Sequence, residues 1–329
     1  MMSYKPPFSI TNKILNLIAS ISEKIGKIET VNLLNSKPHL RKNNRIKSVH
    51  ASLKIEANSL SLDNVRDILN GKTVLGPQKE IIEVKNAFAA YDLIEKTNPY
   101  SIKSLNKIHG IMTRGLLAES GTFRKGNEGV FSNGKCIFMA PPPEFVPNLI
   151  EELFAWMKSS RKDLHQLIMA SIFHYEFVFI HPFTDGNGRM ARYWQTLLLS
   201  QWKPIFKYIP IESQIEKFQE EYYKVISICH TNGNSTIFIE FILTQIDRIL
   251  DEIISQSANE SSLSEYVKKL ISVMEPEIPY TAERLLELLN LKSKEALRRN
   301  YLGPAIKSKL VRMEIPDKPT SRNQRYFRC

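Results

Sequence analysis

Cysteine is scarce in this chain of 329 residues, and its three thiols, Cys136, Cys229 and Cys329, form neither a CxxC pair nor a metal-ligand spacing. An odd number of scattered thiols argues against a disulfide scaffold and fits a reducing compartment. Long apolar runs are missing as well, because the richest one, residues 167–180, is interrupted by a histidine and a glutamate. A membrane span needs ~18 uncharged apolar residues, and the first residues show no basic flank leading into an apolar signal segment. We therefore expect a cytoplasmic protein without membrane contact.

The composition is otherwise ordinary for a globular protein, with 43% hydrophobic and 24% charged residues. The length predicts two or three units rather than one small domain. The formal net charge of +11 is unevenly placed, because residues 280–329 hold twelve Lys or Arg and five Asp or Glu. A basic end domain invites a nucleic-acid interpretation. Charge alone favours the plainer alternative, a solvated basic surface.

Most of the chain has the apolar spacing of amphipathic helices. The segments that show this spacing are 10–29, 46–56, 62–69, 78–95, 101–112, 146–157 and 190–202. Residues 31–43 are broken by Pro38, so the second helix is placed only from Ile46. Residues 121–139 differ, because they hold four glycines among short apolar pieces, and Asn133-Gly134 between these pieces is a strong hairpin signal. We predict an all-α fold with one β-hairpin.

The C-terminal region has its own pattern. A polar run over residues 255–262 indicates a linker, which we place at 255–263. Ser264 and Thr281 are candidate N-caps of two further helices. A helix over 293–301, a short one from Gly303-Pro304 and strand-like pieces within 311–327 follow them. Helix-turn-helix plus a terminal hairpin predicts a winged-helix domain over 264–329.

The segment 185–189, Asp-Gly-Asn-Gly-Arg, stands at the entrance of a helix. Gly186 and Gly188 allow a sharp turn that points successive N–H groups into one concavity, and the helix N-terminus adds partial positive charge. Such a concavity suits a polyphosphate. Arg189 and Arg192 lie three apart on the first helical turn, so both side chains can reach the same anion.

Two more groups complete this motif. Asp185 is a hard oxygen ligand of the kind that Mg²⁺ takes when it also binds phosphate. His181 precedes the loop by four residues, and an imidazole beside a phosphate can accept a proton from an attacking hydroxyl near neutral pH. Taken singly, a Gly-x-Gly is usually a turn and a His next to Pro is usually structural. The dinucleotide fingerprint fails, because no third glycine follows and no βαβ context exists.

Residues 181–189, His-Pro-Phe-Thr-Asp-Gly-Asn-Gly-Arg, match without a gap the signature HPFx(D/E)GNGR and so resemble the Fic family, with Arg192 as the frequent extra arginine. The resemblance covers the helical region up to about Ile254. It implies an N-terminal helical region over 1–75 and a catalytic core over 76–254. It also implies transfer of AMP from ATP to a Ser, Thr or Tyr hydroxyl of a protein, by a protein adenylyltransferase.

The same resemblance assigns roles. His181 would be the base that deprotonates the target hydroxyl before it attacks the α-phosphate, and Asp185 would hold Mg²⁺ against the α- and β-phosphates. The residues assigned to ATP and phosphate binding are Gly186, Asn187, Gly188, Arg189 and Arg192. The hairpin resembles the family's flap, which aligns a target segment by strand addition, with flap residues Phe123, Arg124, Val130 and Phe131. The residues expected near adenosine are Tyr223, Thr231 and Asn232, although Asn234 stands where Asp is common.

Residues 52–58, Ser-Leu-Lys-Ile-Glu-Ala-Asn, resemble the family's inhibitory motif (S/T)xxxE(G/N), with Glu56 as the inhibitory residue and Ala57 as a departure. A carboxylate paired with Arg192 would occupy the charge meant for the γ-phosphate. Seven residues alone would favour an ordinary solvated glutamate, whereas the downstream signature favours inhibition. The same carboxylate would also suit AMP removal, by orienting a water, and the sequence leaves both roles open.

The remaining polar candidates receive plainer interpretations. His174 and Glu176 are expected to be packed or hydrogen-bonded. The histidines expected to be structural or exposed are His39, His50, His109, His165 and His230. The residues expected to offer phosphate contacts on the winged-helix unit are Lys292, Lys294, Arg298 and Arg299, with targeting or dimer contacts as the alternative.

The expected partners are ATP, a protein hydroxyl including the chain's own, DNA, and a second copy in a homodimer. Competing functions are transfer of another phosphate-containing group and a DNA-binding regulator whose core senses nucleotide.

Overall fold

The computed structural model describes residues 4–30, 38–132, 135–261, 263–275 and 278–328. The chain forms two compact units, residues 1–253 and 254–329. In the described part of the chain, no helix combines the length and the apolar content needed to cross a membrane.

The first unit is helical with one β-hairpin, as predicted. Its helices are α1 (Asn12–Thr30), α2 (Pro38–Ile55), α3 (Leu62–Leu69), α4 (Gln78–Asp92), α5 (Ile102–Met112), α6 (Val146–Ser160), α7 (Gln166–Ile180), α8 (Asn187–Trp202), α9 (Ile211–Lys217), α10 (Gln219–Asn232) and most of α11 (Thr236–Ser261), which continues past residue 253. The largest departure from the prediction is α2, which begins at Pro38 rather than Ile46. Proline is favoured at the first position of a helix, where its missing N–H would have no partner.

Helices α7 and α8 form the centre of this unit. Nearly every residue of α7 is buried, which follows from its apolar residues on all faces. His174 and Glu176 in its interior have partners, as expected for packed residues: His174 lies within hydrogen-bond distance of Gln195 and Tyr222, and Glu176 accepts from the hydroxyl of Tyr4 at 2.7 Å. The unusual burial of α7 fixes the position of the turn that follows it.

The predicted hairpin consists of β1 (Gly129–Ser132) and β2 (Lys135–Met139), paired antiparallel with a register shift after Val130. Asn133 and Gly134, the predicted turn, lie outside the described residues. The hairpin is therefore confirmed as two paired strands.

The second unit has the predicted winged-helix order: α12 (Glu265–Val273), α13 (Ala282–Leu289), α14 (Lys294–Ala296), α15 (Gly303–Lys307), β3 (Val311–Met313) and β4 (Tyr326–Arg328). Ser264 and Thr281 cap their helices through side-chain oxygens, as predicted. Tyr280 pairs with Tyr326 and extends the β3–β4 pair by one bridge. Leucines from α12 and α13 pack under these elements.

A π-helical turn, Leu297–Leu302, joins α14 to α15. Pro304 has no N–H to donate to the preceding turn, which widens the helix at this point. A Cβ atom on Gly303 would lie 2.9 Å from the carbonyl oxygen of Arg298, so the widened turn requires glycine there.

The segment predicted as a linker begins as helix. Helix α11 continues to Ser261, through most of the polar run at 255–262. The run contains no Gly or Pro, so nothing in it stops the helix.

Candidate active site

His181 stands immediately after α7 in a left-handed conformation, with φ of 52° and ψ of 59°. Such a conformation costs a side-chain-bearing residue about 1–2 kcal/mol. Its Nδ1 lies 3.3 Å from the carbonyl oxygen of Val178. Because a carbonyl only accepts hydrogen bonds, this contact assigns the proton to Nδ1 and leaves the lone pair on Nε2. Burial lowers the pKa of His181, so the imidazole is neutral near pH 7.

The loop after His181 is closed by Asn187. Its Oδ1 accepts from the N–H of Phe183 at 2.9 Å, and its Nδ2 donates to the carbonyl oxygen of Phe183 at 2.6 Å. The side chain is buried and its amide is committed to this backbone. The side chain expected to touch phosphate therefore shapes the loop.

Helix α8 begins behind this loop, with Gly186 as its N-cap in a left-handed conformation, φ 84°. The first N–H groups of a helix have no partner within it, which is what the predicted concavity for an anion requires. A Cβ atom on Gly188 would collide with Oε1 of Glu56. A carboxylate thus already lies against this concavity.

Arg192 holds that carboxylate. Its Nη2 donates to Oε1 of Glu56 at 2.7 Å, and its Nε and Nη2 donate to the hydroxyl and carbonyl oxygens of Ser52 at 2.9 Å each. The Arg192 residue is only 2% exposed. Burial lowers the pKa of Arg192, but the charge and hydrogen bond of Glu56, together with Tyr222 and Tyr223, outweigh burial and raise this pKa above its usual value.

Arg189 and Asp185 form the other side of the concavity. Nη2 of Arg189 donates to Oδ2 of Asp185 at 3.1 Å, and Oδ1 of Asp185 accepts from the N–H of Gly186 at 2.6 Å. Nη1 of Arg189 lies 3.8 Å from Glu83. The Nε of Arg189 is buried and has no partner among the residues described.

Ala57, which stands where the resembling motif has Gly or Asn, lies in the turn that ends α2. The N–H of Asn58 donates to the carbonyl oxygen of Leu53 at 3.2 Å, and that of Ala57 donates to Lys54 at 3.0 Å. This pair of bonds is the Schellman motif, whose penultimate residue is left-handed and usually Gly. Ala57 has φ of 65°, so the chain forms this turn with a strained residue.

The three residues predicted to lie near adenosine have different surroundings in the structure. The hydroxyl of Tyr223 and Nε2 of Gln219 donate to the carbonyl oxygen of Ile55 at 3.3 and 3.0 Å. Tyr223 thereby tethers the end of the helix that carries Glu56. The exposed Thr231 donates to Ser227 within its own helix, and Asn232 ends α10.

His109 belongs to the site although the sequence assigns it only a structural role. Its Nε2 donates to the carbonyl oxygen of Asp185 at 3.0 Å, and its Nδ1 accepts from the N–H of Gly121 at 2.9 Å. Its ring stacks on Phe183 with centroids 3.6 Å apart. Burial lowers the pKa of His109 to about 4, which keeps the ring in the neutral form that both bonds require.

Two of the predicted flap residues, Phe123 and Arg124, lie beside the loop that begins at His181. Phe123 packs on Phe183 with centroids 5.5 Å apart, and Arg124 is buried beneath the strands. The side chains of Val130 and Phe131 lie outside the described part of the structure. His230, expected to be structural, stacks on Phe138 of β2 at 4.0 Å. Sequence periodicity carries no signal for the last contact, since it joins distant segments.

The fold and the loop together define a helical protein with one β-hairpin and a glycine-containing loop at the start of α8, and comparison with known proteins gives its family. A family model described as "Fic/DOC family" matches residues 99–199, and one described as "Filamentation induced by cAMP protein Fic-like, C-terminal domain" matches residues 265–327. The crystal structure of a Fic family protein from Desulfovibrio desulfuricans G20 shares 39% identity with a TM-score of 0.74. The match covers 99% of this chain and 98% of that one. The chain belongs to the Fic family.

Curated relatives are more distant. Protein adenylyltransferase Fic of Aedes aegypti is 28% identical over 216 residues, which is 63% of this chain and 41% of the relative. Its namesake from Nematostella vectensis is 27% identical over 217 residues, which is 62% of this chain and 47% of the relative. This chain thus spans less than half the length of the curated relatives it matches.

Proposed function

We propose that this protein is an adenylyltransferase that transfers AMP from ATP to a Ser, Thr or Tyr hydroxyl of a protein. One observation carries the proposal: the concavity beside His181 holds an anionic carboxylate, that of Glu56, on Arg192. A site that binds one anion at a helix N-terminus suits the phosphates of a nucleotide. The names of the curated relatives support the same chemistry.

His181 supplies the base in this proposal. The target hydroxyl oxygen attacks the α-phosphorus of ATP, its proton goes to Nε2 of His181, and the bond between the α-phosphorus and the bridging oxygen breaks. Pyrophosphate leaves with that electron pair. The lowered pKa of His181 supports the role, because the ring is unprotonated at neutral pH and ready to accept.

The phosphates are bound by the first turn of α8. Arg192 takes the γ-phosphate when Glu56 withdraws, and the buried Nε of Arg189, without a partner among the described atoms, offers a further donor. The amides around Gly186 and Gly188 line the concavity, and Asn187 contributes by shaping the loop.

A Mg²⁺ ion fits the carboxylate of Asp185. That side chain is 45% exposed, and each of its oxygens accepts one described hydrogen bond, which leaves lone pairs for a metal. The ion would neutralise phosphate charge, with the nucleotide and water as its other ligands.

The hairpin serves as the docking edge for the target in this proposal, by strand addition to β1–β2. Tyr223, Thr231 and Asn232 are proposed to lie near adenosine once Tyr223 releases the end of α2. Modification of the chain itself follows the same route. The cytoplasmic location stays a prediction.

Glu56 is proposed to restrain the reaction by holding Arg192. Removal of AMP from a modified target is a second proposed use of the same carboxylate. Incubating AMP-modified protein with Mg²⁺ or Ca²⁺ and without ATP tests it, and a lack of AMP release would contradict it.

The decisive experiment compares ATP labelled at the α or the γ position, with wild type, His181→Ala and Glu56→Gly. Adenylylation predicts protein labelling from the α position that rises in Glu56→Gly and is lost when His181→Ala is added. Label from the γ position would indicate transfer of another phosphate-containing group. No label from either, in any variant, would contradict the proposal and favour a regulator that senses nucleotide.

A second candidate function is DNA binding by residues 264–329. Lys292, Arg298 and Arg299 lie exposed around the helix that follows the helix-turn-helix corner, and none of them takes part in an ion pair of the described residues, whereas Lys294 pairs with Glu283. We expect the full chain to give a salt-sensitive gel shift with DNA. The shift should be weaker in the double variant Arg298→Ala/Arg299→Ala. Absence of a shift at low salt would exclude it.

A homodimer is proposed as well, and sedimentation equilibrium tests it.

A further inference from the structure

Arg124 is a buried cation at the base of the flap. The residue is 3% exposed, and it belongs to no ion pair found within the described ranges. Burial lowers the pKa of Arg124 and the charge of Glu128 raises it, but a buried charge without a carboxylate at ion-pair distance is costly unless other groups compensate it. The backbone around Arg124 supplies that compensation.

The guanidinium lies at the C-terminal end of α7. Its Nε donates to the carbonyl oxygen of His181 at 2.7 Å and its Nη2 to that of Ile180 at 3.4 Å, while the N–H of Arg124 donates to that of Pro182 at 2.9 Å. The last carbonyls of a helix have no partner within it, and the negative end of its dipole favours a cation. One residue therefore satisfies three consecutive carbonyls.

The same side chain holds both ends of the flap. Its Nη1 donates to the carbonyl oxygen of Gly126, before β1, at 2.8 Å, and its Nη2 donates to that of Pro141, after β2, at 2.5 Å. The flap and the turn that carries His181 thus share one rigid, planar donor. A lysine cannot reproduce this fork.

We propose that Arg124 is a positioning residue that holds the strained turn at residues 180–182, so that His181 faces the phosphate loop, and that couples this turn to the flap. Strained residues persist where the surroundings over-determine them, and Arg124 provides that constraint for His181. The inference rests on the proposed function.

The charge of Arg124 supports the same role. The pKa of His181 is lowered mainly by burial; the hydrogen bond to Val178 raises it, the charge of Arg124 lowers it further, and Glu56 and Asp185 raise it. His230, on the neighbouring α10, also has its pKa lowered, to about 4, by burial and by the charge of His181. Removing Arg124 should therefore raise the pKa of His181.

The test adds Arg124→Met or Arg124→Lys to the Glu56→Gly protein. Lys125→Met in the same background is the matched control, since Lys125 is exposed next to Arg124. Misplacing a catalytic group by about 1 Å costs on the order of 100-fold in rate. We expect a fall of this size in kcat with Arg124→Met and an unchanged KM for ATP. Millimolar guanidinium should restore part of the lost rate.

Arg124→Lys should lose rate while it keeps the pKa of His181 low, and Lys125→Met should behave as its parent. A loss of melting temperature alone, with unchanged kcat of the folded protein and no rescue, would overturn the proposal.

A second readout does not need activity. The ring titration of His181, followed by NMR and assigned with His181→Ala, should move to higher pH in Arg124→Met and not in Arg124→Lys. An unchanged titration in Arg124→Met would overturn the role of Arg124. If Glu56→Gly labels no protein, the proposed function fails, and the titration still decides the role of Arg124.

Discussion

Oε1 of Glu56 lies 2.7 Å from Nη2 of Arg192, although 136 residues separate the two along the chain. The carboxylate also lies against Gly188, where a Cβ atom would collide with it. One anion therefore occupies the arginine and the helix N-terminus that a polyphosphate would need. Arg192, through Ser52, and Gln219 and Tyr223, through Ile55, hold the end of the helix that leads to Glu56, so this contact is built into the fold.

Glu56→Gly should increase labelling from α-labelled ATP by about tenfold or more, because a charge-assisted hydrogen bond of ~1.5–3 kcal/mol no longer opposes nucleotide binding. Glu56→Gln should show a smaller increase. The control is Glu216→Gln, which removes an ion pair with Lys54 on the same helix and should leave the rate unchanged. If Glu56→Gly labels protein no faster than wild type, the proposed inhibition by Glu56 is wrong.

Ala57→Gly should tighten the restraint. Glycine relieves the left-handed strain at φ 65°, and after the entropy of the unfolded chain is subtracted the free energy of unfolding should rise by about 0.5–1 kcal/mol. Labelling by the otherwise wild-type chain should fall. Ala51→Gly, inside α2, should instead destabilise by about 1 kcal/mol. Calorimetry compares the two, and a lower melting temperature in Ala57→Gly would contradict the strain.

Asp185→Asn should raise the Mg²⁺ concentration needed for half-maximal labelling by about tenfold or more, since an amide is a weaker ligand than a carboxylate. The amide oxygen can still accept from the N–H of Gly186, so the loop should keep its shape. EDTA should abolish labelling by both proteins. Glu119→Gln, at the loop rim beside Thr184, is the control, and an equal shift there would argue against a specific role of Asp185.

His174 should make the protein less stable in acid. Burial lowers its pKa from 6.5 to about 3, so between these values the unfolded chain binds a proton that the folded chain does not. Stability therefore falls as pH falls through this window, by about 1.4 kcal/mol per pH unit. Glu176 acts oppositely, because burial raises its pKa to about 7 and its contribution is lost as pH rises from 4.5 to 7.

The difference between wild type and His174→Gln isolates the histidine. Urea unfolding at pH 4, 5 and 6 should show a shallower dependence on pH in His174→Gln. Tyr222→Phe removes the hydroxyl beside His174 without a titration in this range, so its curve should run parallel to wild type. Parallel curves for His174→Gln would contradict a neutral buried imidazole.

The sequence by itself determined the helices, the hairpin strands and the winged-helix order. These depend on contacts between near neighbours, such as the N-caps Ser264 and Thr281, whose partners lie three residues away. The loop at 185–189 could be predicted from the sequence for the same reason. Prediction failed at the start of α2, and the polar run after Ile254 begins as helix; at both places the local signals are compatible with either helix or break.

Only the tertiary structure decided which groups surround His181. Arg124 reaches it across 57 residues, and His109 reaches Asp185 across 76. Asn187 and Tyr223 likewise form contacts other than those their positions in the motif suggested. No periodicity encodes such pairs, because packing of separate helices sets their distances. The sequence determined which reactive groups are present, and the fold decided which of them hold the others in place.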